Sequence, residues 1–233
     1  MAAINAGGSH GAPLLGQPFP TFSAMTSQGP MEWHKYIEGH WAILFSHPFD
    51  YTPVCTTELG TVAKMMNEFT RRNVKVAALS CNDVDTHHGW IKDIIASQGL
   101  SGKDLPYPII ADADRSLAIR FGMLDPVEQE GGMPLTARAV FIINPAKKLA
   151  LSILYPATTG RNFDEILRVI DSLQLTVKHK CATPANWVTG KDCMVIPSVS
   201  DEEAKTIFPK GVNKVDVPSG KGYLRLTPDP RFI

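Results

Sequence analysis

The sequence predicts an α/β protein in which a layered domain is followed by a small, loop-rich C-terminal domain. Between residues 41 and 175, short apolar runs alternate with amphipathic helical patterns, which is typical of strands layered against helices. From Cys181 onward this alternation fades and prolines become frequent. The chain has 233 residues, of which 44% are apolar and 20% charged. This length and composition suffice for one to two domains with a packed core.

The strands are predicted from short, nearly continuous apolar runs bounded by turn-forming residues. The first run ends at the turn-prone sequence His-Pro-Phe-Asp, and the last two runs flank a turn that contains Asn and Pro, as in a hairpin. These patterns predict strands at residues 41–46, 74–80, 107–111, 137–143 and 149–154.

The helices are predicted from apolar residues that recur at intervals of three and four. One such series consists of Leu59, Val62, Ala63, Met66 and Phe69. A second helix is predicted at residues 90–97. A third runs from Phe163 to Leu173, and Asn162 is suited to cap its N-terminus.

Composition and periodicity together place the domain boundaries. Residues 1–11 are rich in Gly, Ala and Ser, which predicts a mobile N-terminal extension. Residues 12–176 then form the α/β domain, and residues 177–233 form the C-terminal domain.

Charge and the length of the apolar runs argue against several classes of partner and cellular location. The 23 basic and 23 acidic side chains cancel and form no basic run, so neither nucleic acid nor an anionic membrane surface is expected as a partner. The longest apolar stretches are too short to span a bilayer. Residues 1–31 contain no charged side chain, and therefore lack the basic start of a secretory signal and the arginines of a transit peptide. We expect a cytoplasmic protein.

The four cysteines are expected to be thiols. They stand at positions 55, 81, 181 and 193, and no two of them form a Cys-x-x-Cys pair that would indicate a structural zinc site. Disulfides are rare in the cytosol.

Cys55 lies in the segment with the strongest chemical signal. Thr52 is suited to the N-cap of a helix, and Pro53 to its first position, where a missing N–H costs nothing. Cys55 then falls in the first helical turn, where unpaired backbone N–H groups and the positive end of the helix dipole favour a thiolate. The alternative is an inert, buried cysteine that lies near a helix start by chance.

This segment and its flanks resemble the 1-Cys peroxiredoxins of the AhpC/TSA family. The similarity extends from about residue 14 to residue 230, nearly the whole chain. It is carried by Ser46-His47-Pro48, by Thr52-Pro53-Val54-Cys55-Thr56-Thr57-Glu58-Leu59, and by residues 108–112, 122–125, 136–138, 151–162 and 182–187.

The resemblance implies a thioredoxin-like fold with a small C-terminal dimerisation domain, and hence a homodimer. It implies a thiol-dependent peroxidase that reduces hydrogen peroxide and organic hydroperoxides through a cysteine sulfenic acid. A thiol such as glutathione, or a thioredoxin-like donor, would restore the cysteine. Neither a metal nor an organic cofactor is expected.

The resemblance also assigns roles to individual residues. Cys55 falls on the family's peroxidatic cysteine, and Thr52 on a threonine whose hydroxyl bonds the peroxide and the thiolate. Arg138 falls on an arginine whose fixed charge holds the thiolate and polarises the peroxide. In the surrounding pocket, Pro48 would shield the thiolate from water, Glu58 would orient Arg138 through an ion pair, and His47 would form part of the wall.

The sequence departs from two patterns of the family. Two-cysteine members carry a resolving cysteine in a Val-Cys-Pro motif, whereas this chain has Lys180-Cys181-Ala182. Cys181, or with less support Cys193, is either a resolving cysteine or an incidental thiol. Some 1-Cys members also hydrolyse phospholipids through a serine, but His40 stands in its place here, so we expect no such activity.

Two other functions remain open from the sequence. The same cysteine chemistry could serve a peroxide sensor or a redox-regulated chaperone. A thioredoxin-like disulfide oxidoreductase has little support, because Thr52 occupies the place of the first cysteine in Cys-x-x-Cys.

Overall fold

The computed structural model describes residues 12–232, so the extension predicted for residues 1–11 lies outside the described residues. The chain divides into two compact units, the first ending at Arg161 and the second beginning at Asn162. From the sequence, the boundary is predicted after residue 176, where the alternation of strands and helices ends. That boundary stays a prediction. It assigns most of the helix at Phe163–Lys178 to the first domain, whereas the division into compact units assigns this helix to the second unit.

The first unit is built on a sheet of seven strands in the order β2-β1-β5-β4-β3-β8-β9. Strands β3, β4 and β5 pair in parallel, and the other pairs are antiparallel. A separate hairpin consists of β6 and β7. The strands of this unit are β1 (Ser23–Thr26), β2 (Gly29–Glu32), β3 (Trp41–Ser46), β4 (Val74–Ser80), β5 (Ile109–Ala111), β6 (Leu124–Glu130), β7 (Met133–Thr136), β8 (Arg138–Ile143) and β9 (Leu149–Tyr155).

The central strands are the ones that the sequence predicted most closely. All residues of β3 and β8 are buried, which explains why both are continuous apolar runs instead of alternating ones. The strands predicted at 41–46 and 74–80 are confirmed with the same bounds. One face of the sheet packs on a cluster of aromatic side chains that includes Phe19, Trp33 and Phe121.

The helices of the first unit are α1 (Trp33–Tyr36), α2 (Pro53–Lys64), α3 (Met66–Arg71), α4 (Val84–Gln98) and α5 (Ser116–Arg120). The helical pattern from Leu59 to Phe69 is therefore shared between α2 and α3, because the chain leaves helical geometry at Met65. Helix α4 extends beyond the predicted 90–97 in both directions. The Asp83 side chain caps its N-terminus, and Gly99 ends it in the left-handed conformation, with φ 61°.

The second unit has one long helix, α6 (Phe163–Lys178), and a shorter one, α7 (Asp201–Ile207). Asn162 caps α6 as predicted, with its side chain accepting from the amides of Asp164 and Glu165. A small antiparallel sheet has the order β10-β11-β13-β12 and contains β10 (Cys181–Ala182), β11 (Cys193–Val195), β12 (Asn213–Lys214) and β13 (Arg225–Thr227). The sequence predicted a loop-rich domain here without assigning these strands, since strands of two or three residues are too short to show a period.

A membrane span is not seen in the described part of the chain: no helix between residues 12 and 232 is long and apolar enough for one.

Candidate active site

The candidate active site lies in the first unit, where β3 leads into α2. Thr52 occupies the N-cap position in extended conformation and Pro53 begins the helix, as predicted. Cys55 is therefore in the first turn of α2, and its side chain is 0% exposed. The Thr52 hydroxyl does not cap the helix, because it donates its proton to the carbonyl of Phe49 at 2.8 Å. It can still accept a hydrogen bond from a substrate.

Arg138 brings a positive charge to the Cys55 sulfur. Its strand, β8, pairs with β3, so a side chain at the start of β8 can reach the beginning of α2. The Arg138 Nη1 atom lies 3.3 Å from the Cys55 Sγ atom. Its Nε and Nη2 atoms donate to the carbonyl of Ala157 at 2.8 and 2.5 Å, which holds the guanidinium plane in one orientation. A guanidinium in this place stabilises a thiolate.

Glu58 lies one turn after Cys55 on α2 and pairs with two arginines. Its Oε2 atom accepts from Arg138 Nη1 and from Arg161 Nη2, each at 2.7 Å. Its Oε1 atom accepts from the backbone N–H and the Nε atom of Arg161, at 2.7 and 3.0 Å. Burial alone would raise the pKa of Glu58, but the charge and hydrogen bonds of Arg161, together with the charge of Arg138, hold this pKa below its usual value. The carboxylate is thus ionised.

Arg161 is a member of the site that the sequence analysis did not single out. Besides Glu58, it binds the carbonyls of Ser46 and Ala139 at 2.8 and 3.0 Å, and its guanidinium lies 4.8 Å from the ring centre of Phe45. Two arginines share one carboxylate, so the cluster keeps a net positive charge beside the sulfur. The available signal was its place in the motif at 151–162, which carried the resemblance without a role for this residue.

His47 is fully buried and belongs to a polar cluster beside the site. Its Nε2 atom pairs with Asp50 Oδ1 at 2.8 Å, while Asp50 Oδ2 accepts from His87 Nδ1 at 2.6 Å. Within residues 12–232, His47 Nδ1 has no hydrogen-bond partner. From the sequence, Asp50 was expected only as part of the turn after the first strand, and His87 was not singled out. The signal for His87 was its helical spacing from the apolar residues Trp90, Ile91 and Ile94.

Opposing effects determine the protonation of this cluster. Burial lowers the pKa of His47, and the contact with Asp50 offsets this only in part. For Asp50, burial works to raise the pKa, but the hydrogen bonds and charges of His47 and His87 outweigh it and lower the pKa to about 2. The Asp50 carboxylate is therefore ionised and the His47 ring neutral at physiological pH. Pro48 directly follows His47 and is also buried; its shielding role stays a prediction.

Comparison with known proteins identifies the family. Residues 15–152 match the model of the AhpC/TSA family, and residues 172–211 match the C-terminal domain of 1-Cys peroxiredoxin. The chain belongs to the AhpC/TSA family. It is a peroxiredoxin of the 1-Cys type, and hence a thiol-dependent peroxidase.

The relatives of this peroxiredoxin match it over almost its entire length. Peroxiredoxin-6 of Gallus gallus is 60% identical over 219 residues, which are 93% of this chain and 98% of the relative. Peroxiredoxin-6 of Homo sapiens is 56% identical and covers 94% of this chain and 99% of its own.

Two solved structures confirm the predicted α/β fold with a small C-terminal domain. A cysteine-to-serine mutant of the peroxiredoxin 6 of Arenicola marina is 57% identical, covers 94% of this chain and 99% of its own, and has a TM-score of 0.91. A yeast mitochondrial 1-Cys peroxiredoxin is 42% identical, covers 92% of this chain and 99% of its own, and has a TM-score of 0.84; its structure concerns thiol resolution via glutathione and thioredoxin systems.

The other three cysteines of this peroxiredoxin are buried free thiols. Cys81 is at the end of β4 in the first unit, and burial raises the pKa of its thiol to about 11. Cys181 and Cys193 both lie in the second unit, on β10 and β11. A resolving role for Cys181 stays a prediction. Across residues 12–232, no group of three or more His, Cys, Asp and Glu side chains is placed to hold a metal ion.

Proposed function

We propose that Cys55 is the peroxidatic nucleophile of this peroxidase and that Arg138 and Thr52 bind the peroxide beside it. The observation that carries this assignment is the 3.3 Å contact between Arg138 Nη1 and Cys55 Sγ within the first turn of a helix. The guanidinium and the helix N-terminus both favour a negative charge on sulfur, and the thiolate is the nucleophilic form of cysteine.

The reaction begins with attack of the Cys55 thiolate on one peroxide oxygen. The S–O bond forms as the O–O bond breaks, so sulfur is oxidised and the leaving oxygen is reduced to water or an alcohol after it takes up a proton. Arg138 donates hydrogen bonds to the oxygen on which charge develops. The Thr52 hydroxyl, whose proton is bound to Phe49, accepts from the peroxide O–H. Cys55 leaves the step as a sulfenic acid.

The second half of the cycle needs a thiol from outside the buried site. Since the Cys55 side chain is 0% exposed, we propose that the first turn of α2 opens before a reductant reaches its sulfenic acid. Glutathione or a thioredoxin-like protein is the proposed reductant, and thiol resolution via these two systems in the yeast relative supports it. Cys181 as a resolving cysteine is the competing route.

Steady-state peroxide consumption tests these assignments. Wild type, Cys55→Ser, Cys181→Ser and Cys81→Ser are compared with dithiothreitol, glutathione and thioredoxin as reductants. Cys81→Ser is the matched control, because Cys81 is another buried thiol but lies outside the site. Loss of turnover in Cys55→Ser alone supports an external thiol as reductant. Loss in Cys181→Ser as well supports resolution by Cys181, and full turnover in Cys55→Ser refutes the assignment of the nucleophile.

The same measurement separates the enzyme from a peroxide sensor or a redox-regulated chaperone. An enzyme consumes many equivalents of peroxide for each Cys55. Oxidation that stops after one equivalent, with excess reductant present, would favour the sensor or chaperone.

We also propose that the protein is a homodimer. Strand β9 is the last strand at one edge of the seven-stranded sheet, and beyond Leu149 the described residues place no further strand beside it. An uncovered edge can pair with the same edge of a second copy. Leu154 on this strand is 66% exposed in the single chain, so its side chain is available for such a contact.

Light scattering coupled to size exclusion tests the dimer. Leu154→Arg should convert dimers to monomers, because it places a charge where two apolar edges would meet. Val127→Arg on β6, an equally drastic change at an exposed residue, is the control and should leave the mass unchanged. A wild-type mass of one chain at all concentrations would refute the dimer.

The cytoplasm is the proposed location. The support is that none of the four cysteines is paired in a disulfide in the described residues, whereas oxidising compartments favour disulfides. Fractionation of cells that express the full chain tests this proposal, and recovery in a membrane-bounded organelle would contradict it.

A further inference from the structure

Cys181 and Cys193 face each other in the small sheet of the second unit. Strands β10 and β11 are antiparallel, with Cys181 opposite Val195. Cys193 lies two residues before Val195, so both cysteines point to the same face of the sheet and are diagonal neighbours. This face packs on the hydrophobic core of the unit, which includes Trp187 and Phe208.

The two thiols interact directly. Cys181 is 3% and Cys193 0% exposed, and the two sulfurs are close enough for each to shift the pKa of the other. The thiol of Cys193 also donates to the carbonyl of Lys191, with 3.8 Å between sulfur and oxygen. Burial raises the pKa of both thiols, and the pKa of Cys193 reaches about 12 because the sulfur of Cys181 is also close. Neither residue is therefore a ready nucleophile in the closed fold, and its reaction with peroxide is expected only when peroxide is in excess and the short strand β10 moves.

We propose that Cys181 and Cys193 are a redox-active dithiol that closes to a disulfide within the second unit when peroxide is in excess. This site is separate from Cys55 and does not depend on the role assigned to that residue. Its chemistry needs only the peroxide that the protein meets as a substrate.

The reaction balances with one hydrogen peroxide for each pair of thiols. Cys181 attacks a peroxide oxygen, the O–O bond breaks, and the products are a Cys181 sulfenic acid and one water. The sulfur of Cys193 then attacks the sulfenic sulfur and expels the second water as the S–S bond forms. Each sulfur loses one electron, the peroxide gains two electrons, and both thiol protons end in water. Cys181 reacts first because the neighbouring Cys193 works to lower the pKa of the Cys181 thiol, whereas Cys181 raises the pKa of Cys193.

The geometry favours a reversible disulfide. Diagonal neighbours in a sheet have Cα atoms about 7–8 Å apart, whereas a disulfide needs about 4.4–6.8 Å. The strands must therefore shift, and β10, with only two residues, is short enough to do so. A disulfide formed under strain is easier to reduce than a relaxed one. The expected product is a switch that a dithiol resets, and not a permanent crosslink.

Peptide mapping without reduction tests the proposal directly. The full-length wild type and Cys55→Ser are treated with increasing hydrogen peroxide, then denatured with N-ethylmaleimide and digested with trypsin. Cleavage after Lys180 and Lys191 separates residues 181–191 from residues 192–205, and each peptide contains one of the two cysteines.

The expected result is a linked pair of these peptides, lighter by two hydrogen atoms than their sum, in both proteins. The alkylated single peptides should be lost as the pair forms, and dithiothreitol should restore them. Cys81 is the internal control: it is a buried thiol with a raised pKa on another unit, and it should remain alkylated throughout.

Three outcomes would overturn the proposal. Recovery of both peptides in alkylated form at high peroxide would show that the thiols do not react. Their recovery as separate sulfonic acids would show that each sulfur is oxidised alone. A Cys55–Cys181 link in the wild type, without the Cys181–Cys193 link in Cys55→Ser, would instead support a resolving role for Cys181.

Discussion

Arg138 contributes both charge and shape to the site. One part of its guanidinium contacts Cys55 Sγ and Glu58, while the other part is held by the carbonyl of Ala157. Arg138→Ala should lower kcat/KM for hydrogen peroxide by about 10²–10³, the typical loss for one donor to a developing charge. Arg138→Lys should recover only part of the activity, since an ammonium cannot reproduce the planar fork.

The measurement for Arg138 is the rate of peroxide consumption at saturating reductant. Arg120→Lys, at an exposed arginine on α5, is the control and should behave as wild type. Wild-type kinetics for Arg138→Lys would show that charge alone accounts for the role of Arg138.

Glu58 stabilises the fold as well as the site. Its carboxylate is 3% exposed and neutralises one of two buried arginines. Glu58→Gln should lower the free energy of unfolding by about 3–5 kcal/mol, because removal of one partner leaves buried charge without compensation. Urea unfolding at neutral pH measures this. The exposed Glu130→Gln should stay within about 0.5 kcal/mol of wild type, and an equally small effect at Glu58 would contradict the prediction.

At the scale of elements, the segment before α2 packs closely against α4. Tyr51 has a left-handed backbone, with φ 55°, and its ring lies 6.5 Å from that of Trp90 on α4. A Cβ atom on Gly89 would lie 2.2 Å from the Tyr51 hydroxyl oxygen. Gly89 therefore leaves the room that this hydroxyl occupies.

A double-mutant cycle tests the contact between the two elements. In a Tyr51→Phe background, Gly89→Ala should stabilise the protein by about 0.5–1 kcal/mol, because alanine is the better helix residue. In the wild-type background this gain should be reduced or reversed, since Tyr51 must move. The free energies of unfolding of the four proteins give the coupling, and additive effects would refute it.

At the scale of the whole molecule, the buried cluster of His47, Asp50 and His87 makes folding sensitive to acid. The folded pKa of His47 is below its unfolded value of about 6.5, so its contribution to stability is present above that pH and is lost as the pH falls. The folded pKa of Asp50 is about 2, against an ordinary value of 3.8. Its contribution, on the order of 2 kcal/mol, is lost between about pH 4 and pH 2.

Urea unfolding at a series of pH values measures these two losses. Wild type should lose stability as the pH falls below about 6.5, because His47 binds a proton more readily in the unfolded state. His47→Gln should lose less over that range, since a glutamine side chain does not take up this proton. The exposed His88→Gln is the control and should follow the wild type. Identical profiles for wild type and His47→Gln would contradict the prediction.

Local sequence predicted those parts of the fold that depend on neighbours in the chain. The buried strands β3 and β4, the Asn162 cap and the start of α2 at Pro53 follow from apolar runs and from capping chemistry. The break between α2 and α3 and the short strands of the second unit were not predicted. The local sequence carries little signal for these features, because they depend on tertiary packing.

The sequence by itself determined the family and the start of α2, because Thr52 and Pro53 act through the geometry of one helix turn; this places Cys55, the proposed nucleophile, in the first turn. Only the tertiary structure decided that Arg138 and Arg161 share Glu58, since these residues are 80 and 103 positions away from it. It likewise brought Cys181 against Cys193. Contacts between distant residues depend on strand pairing and burial, and no local pattern in the chain records them.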